Sequence, residues 1–386
     1  RMTWNGGRGM KRFCVKTEVY FDSGALEYLT LLDNRRALVI TDPFMVQAGF
    51  ADTLIHILKT SVEDYRLFTG VQPDPPVEAV AAGVKEYLAF RPDLIIALGG
   101  GSTIDAAKSI LLFARQHAGN ADDGGKPLFI AIPTTSGTGS EVTSYSVMTL
   151  GDTKIPLVSQ DIIPDVAILD AAFLRTVPPQ ITADTAIDAL THAIEAYVSS
   201  EHSDYTDALC EKTVELIFDY LLRAYHSGDD LEARERLHNA SCLAGMAFTN
   251  AALGITHSMA HTLGGHFHLP HGRANAVLLP HIIEYNADLE SGGESRAATR
   301  YCKLARRLHL PASTVAEGVA SLVSAVRALQ KLTGTPASLE AAGIDREAYE
   351  ALLSAMSQAA LKDKCTAANS REVNVQQLEQ LFRKVY

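Results

Sequence analysis

Apolar residues follow two different spacings in the two halves of this chain. Up to about residue 180, short and nearly continuous apolar runs alternate with stretches in which apolar residues recur every three or four positions. The runs are typical of strands buried on both faces, and the wider spacing is typical of amphipathic helices. The predicted strands lie at 37–40, 65–68, 93–98, 128–132 and 165–169. This alternation predicts a parallel sheet with helices on both faces.

The pattern changes after the pair Pro178 and Pro179. Helical spacing then continues and strand patterns vanish. We therefore predict a Rossmann-like α/β domain over 11–180, which binds a dinucleotide, and an all-α domain over 181–386. Residues 1–10 have no periodicity, and we exclude them as a disordered start or a remnant of an expression vector. Breaks between the helices are predicted at 227–230, 269–270, 291–293 and 333–336.

Composition and charge exclude several classes of partner. A chain of 386 residues has room for two domains, each with its own core. The net charge is −11 and basic residues form no cluster, which argues against a nucleic-acid partner. No apolar run has the length of a membrane span, and we see no secretory leader. The 5 cysteines are widely spaced without a CxxC pair, which predicts free thiols in a reducing cytoplasm.

Two pairs of potential metal ligands have helical spacing. Asp188 and His192 are four residues apart, and so are His257 and His261. Each pair would therefore share one face of a helix. His271 follows a Leu-Pro step, where a helix would end, and we expect it on a loop. One carboxylate and several imidazoles are a suitable donor set for a divalent transition metal.

An alternative is that these histidines are ordinary core or surface residues. Six of the 13 histidines lie between Gly245 and Asn286, and a single helical histidine is usually structural. We favour that interpretation for His266 and His268. Five candidate ligands in two clusters are harder to explain by chance, so the spacing predicts a metal site.

Two loops rich in glycine and hydroxyl groups follow predicted strands in the first half. Gly99-Gly-Gly-Ser102 leads from a strand into a helix, where free backbone amides and the helix dipole suit a phosphate. Thr134-Thr-Ser-Gly-Thr138-Gly-Ser140 adds hydroxyl donors after the next strand. Ligands of parallel sheets bind at the carboxyl ends of strands, so the two loops support each other. Alone, the first loop could be only a tight turn, because Ile104 breaks the G-x-G-x-x-G pattern.

Asp42 stands at the end of another predicted strand. A carboxylate in this position accepts hydrogen bonds from the adenosine ribose and repels a 2′-phosphate, which favours NAD over NADP. The alternative role is that of a cap for the turn that begins at Pro43.

Four motifs carry a resemblance to a known family. The motifs are Gly99-Gly-Gly-Ser-x-x-Asp105-x-x-Lys108, Pro133-Thr-Thr-Ser-Gly-Thr-Gly-Ser-Glu141, Asp188-Ala-Leu-Thr-His192-Ala-Ile-Glu195, and His257-x-x-x-His261-x-x-Gly264 with Pro270-His271-Gly272-x-x-Asn275-Ala276. From about residue 12 onward, the chain resembles the iron-containing (group III) alcohol dehydrogenases. It is most similar to the propanol and ethanol dehydrogenases of propanediol and ethanolamine metabolism. The resemblance implies the dehydroquinate synthase-like architecture of this family.

The resemblance also implies roles for individual residues. Asp188, His192, His257 and His271 would bind the metal, and His261 would be the catalytic residue beside it, near the nicotinamide. The substrate pocket would be lined by Phe248 and Cys365. The residues implied to bind NAD are Asp42, Gly99, Gly100, Gly101, Ser102, Thr134, Thr135, Thr138, Thr143 and Lys154. Members often have Thr-Asn-Pro-Arg near the C-terminus where this chain has Ala368-Asn-Ser-Arg371, a change in the wall of the pocket.

The implied activity is that of an NAD-dependent alcohol dehydrogenase acting on short primary alcohols and aldehydes, such as propanol and propanal or ethanol and acetaldehyde. Iron(II) is the implied metal, acting as a Lewis acid, although the donor set also suits Zn(II), Ni(II) or Co(II). Two alternatives are a polyol dehydrogenase for glycerol, 1,2-propanediol or 1,3-propanediol, and a non-catalytic metal or nucleotide sensor. The resemblance further implies a homodimer or larger homo-oligomer in the cytoplasm, with a bacterial microcompartment as the alternative location.

Overall fold

The structure is a computed structural model that describes residues 11–33, 35–118, 125–151, 153–291 and 294–386. The expectation for residues 1–10 lies outside these described residues. Over the described residues the chain forms eight strands and thirteen α-helices. The strands are β1 (Glu18–Phe21), β2 (Arg36–Thr41), β3 (Asp64–Phe68), β4 (Leu94–Gly99), β5 (Leu128–Pro133), β6 (Tyr145–Leu150), β7 (Thr153–Val158) and β8 (Val166–Leu169).

Six of the described strands form one parallel sheet in the order β1-β8-β5-β4-β2-β3. Alternate residues of β2 and β4 point to opposite faces, as the twofold repeat of a strand requires. Leu38 and Ile95 pack in the core on one face, and Val39 and Ile96 pack in the core on the other. The predicted Rossmann-like parallel sheet is confirmed.

The helices divide between the two halves of the chain. The first four lie among the strands, and the rest follow them. The α-helices are α1 (Pro43–Gln47), α2 (Phe50–Ser61), α3 (Val77–Phe90), α4 (Gly101–Ala118), α5 (Pro179–Val198), α6 (Asp204–His226), α7 (Leu231–Ala251), α8 (Ile255–Phe267), α9 (His271–Ala287), α10 (Arg296–Arg307), α11 (Val315–Leu332), α12 (Arg346–Lys362) and α13 (Val375–Val385). The prediction of a nearly all-helical second half is confirmed, while the division into domains at residue 180 stays a prediction.

Three strands were not predicted. β1 is a four-residue edge strand with mostly exposed side chains. β6 and β7 form a separate antiparallel hairpin, and Pro156 of β7 lies opposite Val147 of β6. None of these strands is buried on both faces, and polar residues or a proline interrupt β6 and β7.

The second half packs around α5, whose residues are buried along nearly its whole length. The loop after β5 contacts this half at two glycines. A Cβ atom at Gly137 would lie 2.7 Å from the Cβ of Thr185 in α5, and one at Gly139 would lie 2.6 Å from Gly245 Cα in α7. The loop therefore lies where the two halves meet.

Two expectations about the cellular setting can be compared with the structure. All five cysteines are free, as the sequence predicted. None of the described helices combines the length and the apolar character needed to cross a bilayer.

Candidate metal and cofactor site

Residues of three helices meet in one buried cluster. Asp188 and His192 lie one turn apart on α5, and His257 lies on α8. Each of these three residues offers a ligand atom, and the three atoms lie within 4.8 Å of one another. His271 joins them, because its Nε2 is 3.6 Å from Asp188 Oδ1. The structure thus brings together the four residues for which metal binding is predicted.

His271 is the first residue of α9, whereas the Leu-Pro step before it predicts a loop, and this prediction is wrong. Pro270 precedes it and has extended backbone, which suits the start of a helix. The next residue, Gly272, contacts the carbonyl oxygen of Asp184 on α5 so closely that a side chain would collide with it. This contact brings the start of α9 against α5.

His257 lies between two carboxylates. Its Nδ1 is 2.6 Å from Glu195 Oε2, and its Nε2 is 3.7 Å from Asp188 Oδ1. Glu195 also accepts hydrogen bonds from the backbone N–H groups of Gly254 and Thr256. Burial lowers the pKa of His257, but its interactions with the two carboxylates, Asp188 and Glu195, outweigh this effect and raise the pKa to about 9. The centre of the cluster therefore favours a positive charge.

The other members of the cluster can also serve as ligands. Burial lowers the pKa of His192 to about 4, so this imidazole is neutral at pH 7 and keeps a lone pair. Burial raises the pKa of Asp188, but His192 and the other imidazoles outweigh this effect and hold it below its ordinary value. The result is one carboxylate with neighbouring imidazoles, which is a donor set for a divalent transition metal.

Two polar atoms inside the cluster support this fit. His192 Nδ1 is buried and has no hydrogen-bond partner among the described residues. Asn275 Nδ2 lies 2.7 Å from Asp188 Oδ1, 3.2 Å from His257 Nε2 and 3.1 Å from His271 Nε2. One amide group thus lies within hydrogen-bond distance of three candidate ligand atoms, in an arrangement that also suits a cation.

Glu195 and Asn275 were not identified from the sequence, although both lie within the quoted motifs. Helical spacing would have indicated them. Glu195 is seven residues after Asp188, and Asn275 is four residues after His271, so each shares a helix face with a candidate ligand.

His261, Phe248 and Cys365 border the cluster. His261 Nδ1 is 2.8 Å from Asp363 Oδ2, and its ring stacks on His271 with 5.4 Å between ring centroids. The Phe248 ring stacks on His192 at 4.5 Å. Cys365 lies in a short 3-10 turn (Lys364–Ala368), and its N–H donates to Asp363 Oδ1.

The two predicted phosphate-binding loops touch each other. Gly99 ends β4, and Gly101 begins α4. A Cβ atom at Gly101 would lie 2.7 Å from Thr138 Cγ2, and one at Gly100 would lie 3.3 Å from Thr135 Cγ2. Thr134 N donates to Gly99 O across the two strand ends. The glycines therefore permit a close approach that other residues would prevent.

The remaining candidate contacts to NAD have partners within the protein. Asp42 Oδ1 accepts from the N–H groups of Phe44 and Met45 and so caps α1, while Oδ2 accepts from Thr103 Oγ1. The hydroxyl of Thr143 accepts from Lys108 Nζ. Lys154 Nζ is 2.7 Å from Asp74 Oδ1, and the Asp74 N–H donates to Ser102 Oγ.

Comparison with known proteins gives two family matches that together span most of the chain. The family model described as iron-containing alcohol dehydrogenase matches residues 16–171. The model described as Fe-containing alcohol dehydrogenase family, C-terminal, matches residues 182–386.

Similar full-length proteins include two alcohol dehydrogenases. The NADPH-dependent butanol dehydrogenase of Clostridium saccharobutylicum is 42% identical over 98% of each chain. The 1-propanol dehydrogenase PduQ of Citrobacter freundii is 40% identical over 97% of this chain and 100% of its own. Among solved structures, that of a 1,3-propanediol oxidoreductase matches with a TM-score of 0.89 and 33% identity, covering 98% of this chain and 100% of that one.

Proposed function

The chain belongs to the iron-containing alcohol dehydrogenase family, and on this premise we propose that it interconverts short primary alcohols and their aldehydes with NAD(H). The observation that carries the proposal is the cluster of buried Asp188, His192 and His257 with the half-buried His271, on helices that the glycine-rich loop after β5 contacts. The predicted alternative of a non-catalytic sensor is disfavoured, because relatives that match over their full length are named as dehydrogenases.

We assign the metal to these four residues, with iron(II) as the expected ion. A bound divalent cation supplies Lewis acidity, which lowers the pKa of a hydroxyl group on the substrate. The chain itself provides the orientation. Glu195 fixes the hydrogen of His257 on Nδ1, so that Nε2 faces the other ligands. Phe248 covers His192 and excludes water from that side.

His261 is the residue that we expect to carry the alcohol proton away from the site. It is the most exposed of the candidate residues near the cluster, with 42% of its side chain accessible, and its ring packs against His271. Its Nδ1 is paired with Asp363, so Nε2 remains to exchange a proton with substrate or solvent. Cys365 and Phe248 would border the alkyl part of the substrate.

NAD would bind across the carboxyl ends of β2, β4 and β5. Gly99, Gly100, Gly101 and Ser102 would hold the pyrophosphate at the start of α4, with Thr134, Thr135 and Thr138 beside it. Asp42 Oδ2 would accept hydrogen bonds from the ribose hydroxyls. Thr143 and Lys154 would support the loops through Lys108 and Asp74.

His192→Ala tests the proposal. The variant should lose the metal and turnover together, because the ligand is removed while its stacking partners remain. Metal analysis and the NADH absorbance change with propanal measure the two properties. Retention of both metal and activity would refute the assignment. An exposed histidine outside the cluster provides the control, and His266→Ala should behave like the parent protein.

A polyol dehydrogenase is the second candidate, because the 1,3-propanediol oxidoreductase shares the fold at a TM-score of 0.89. The relative kcat/KM values for propanol, 1,2-propanediol, 1,3-propanediol and glycerol distinguish a dehydrogenase of simple alcohols from a polyol dehydrogenase. The bordering Phe248 and Cys365 favour the simple alcohol, since an unpaired hydroxyl in an apolar pocket costs free energy.

We also propose that the enzyme works in the cytoplasm as a homodimer or larger homo-oligomer. The five free cysteines support a reducing compartment. Encapsulation in a microcompartment stays a prediction.

A further inference from the structure

A second group of potential ligands borders the first cluster. His261, Asp363 and Cys365 each offer one ligand atom, and the three atoms lie within 4.8 Å of one another. The carboxylate of Asp363 is the centre of the group. Its Oδ2 is 2.8 Å from His261 Nδ1, and its Oδ1 accepts from the Cys365 N–H at 2.8 Å.

Hydrogen bonds within the protein hold this group in place without a metal. His261 lies on α8, and Cys365 lies in the short turn that follows α12. Thr366 Oγ1 donates to Ser258 Oγ of α8 at 2.8 Å, so the turn is tied to the helix that carries His261. Asp363 caps this turn through Cys365 N. The three ligand-bearing side chains therefore converge from two segments that are fixed to each other.

The chemistry of the donors differs from that of the first cluster. Asp188, His192, His257 and His271 offer only nitrogen and oxygen, whereas the second group includes a sulfur. One imidazole, one carboxylate and one thiolate with an open fourth position form a tetrahedral set that suits Zn(II) or Co(II). Sulfur ligands select such ions over magnesium or calcium.

We propose that His261, Asp363 and Cys365 form a second cation site, specific for thiophilic divalent ions such as Zn(II), that borders the site assigned to the catalytic metal. Binding forms a metal–sulfur bond and releases the proton of the Cys365 thiol to solvent. The carboxylate and the thiolate together neutralise the two charges of the ion. The second site can therefore fill while the first holds its own cation.

A cation bound at the second site should affect catalysis, a consequence that rests on the proposed function. An ion held by His261 removes this imidazole from proton transfer and occupies the space beside Cys365. Zinc should then inhibit the iron-loaded enzyme without displacing iron from the first cluster. Metal analysis of the inhibited protein distinguishes zinc binding at the second site from replacement of iron in the first cluster. If zinc replaces iron, the iron content falls as the zinc content rises.

The direct test uses Co(II), because a cobalt–thiolate bond gives a near-ultraviolet charge-transfer band that nitrogen and oxygen ligands do not give. The metal-free full-length protein is titrated with Co(II) without oxygen. We expect two bound equivalents, with the band growing in proportion to one of them. This readout needs no turnover, so it stands even if the proposed activity fails.

Three variants locate the ion. Cys365→Ser should lose the band, and Cys14→Ser, at the other partly exposed cysteine, should keep it. Asp363→Asn keeps an acceptor for the Cys365 N–H but removes the charge, and it should weaken binding of the second equivalent by more than about tenfold, as even outer-shell partners do. Absence of the band at saturating Co(II), or its persistence in Cys365→Ser, would overturn the proposal.

Discussion

At the scale of single residues, we propose that the pair formed by His257 and Glu195 sets the affinity of the cluster for a cation. The carboxylate is buried and accepts two backbone N–H groups as well as His257 Nδ1. Its orientation is therefore fixed by the protein, and it in turn fixes the imidazole. Outer-shell carboxylates of this kind orient a ligand and increase its basicity.

Glu195→Gln tests this role. An amide keeps one oxygen acceptor but presents an N–H₂ group to donors, so either His257 or a backbone N–H loses its partner. We expect the affinity for Fe(II) to fall by about 10- to 100-fold. Competition with a chelator of known affinity measures the change. Glu284→Gln removes a carboxylate that pairs with Arg327 on the surface of α9, and it should leave the affinity unchanged.

Asp42 caps α1, and we propose that it also binds the ribose of the cofactor. The structure places it as the cap of α1, and its second oxygen lies at the strand ends where a ribose would bind. Asp42→Asn separates the roles, because asparagine caps a helix equally well but has no charge. We expect the ratio of kcat/KM with NADP to that with NAD to rise by about tenfold, through loss of repulsion with the 2′-phosphate.

The melting temperature of Asp42→Asn shows whether the variant keeps the helix cap. An unchanged melting temperature would establish that the cap survives, so that any change in the ratio belongs to the charge. An unchanged ratio in a stable variant would contradict the role of Asp42 in choosing the cofactor. Asp52→Asn, a first-turn residue of the next helix, serves as the control.

Contacts between residues that are far apart in the chain could not be predicted from sequence spacing. Asp188 and His192 could be recognised because they lie four apart on one helix. The pairing of His257 with Glu195 spans 62 residues, and that of His261 with Asp363 spans 102. Such contacts depend on how helices pack, and local periodicity carries no information about them.

At the scale of elements, the sequence predicts the strands that are buried on both faces. β4 and β5 lie inside the sheet, and both their faces are covered, so they have continuous apolar sequences. The unpredicted strand β1 is an edge with exposed side chains, and the β6–β7 hairpin lies outside the main sheet. A strand with only one covered face need not contain an apolar run. A proline within a strand, such as Pro156 of β7, also argues against predicting a strand there.

The loop that joins β5 to this hairpin contains a buried acid. Glu141 is 2% exposed. Burial raises its pKa from 4.5 to about 7, despite opposing contributions from its own backbone and the charge of Lys108. Between these two pH values the folded chain retains a proton that the unfolded chain has released. The contribution of Glu141 to stability is therefore complete below pH 4.5 and is lost as the pH rises to about 7.

Glu141→Gln should remove this dependence. The side chain stays uncharged at every pH, so the melting temperature of the variant relative to the parent should increase as the pH rises from 4.5 to 7. The change corresponds to about 3 kcal/mol at most. Calorimetry at several pH values measures it, with the exposed Glu340→Gln as the control. A temperature difference that does not vary with pH would count against a protonated Glu141.

At the scale of the whole molecule, the proposed catalytic metal would connect α5 to two consecutive helices, α8 and α9, that follow it much later in the chain. Asp188 and His192 belong to α5, whereas His257 and His271 belong to α8 and α9. The same helices contact the loop after β5 and the turn that carries Cys365. A cation in this cluster would therefore stabilise the region where the cofactor and substrate are proposed to meet.

Removal of the metal should consequently lower the stability of the entire chain. A ligand that binds only the folded state at 1,000 times its dissociation constant contributes about 4 kcal/mol. We expect a chelator to lower the melting temperature of the iron-loaded protein, and Fe(II) under reducing conditions to restore it. His192→Ala should respond to neither treatment, because the cluster has lost a ligand, while His266→Ala should respond as the parent does. Equal melting temperatures for the loaded and metal-free parent protein would mean that these four side chains do not bind the ion, whatever the enzyme's activity.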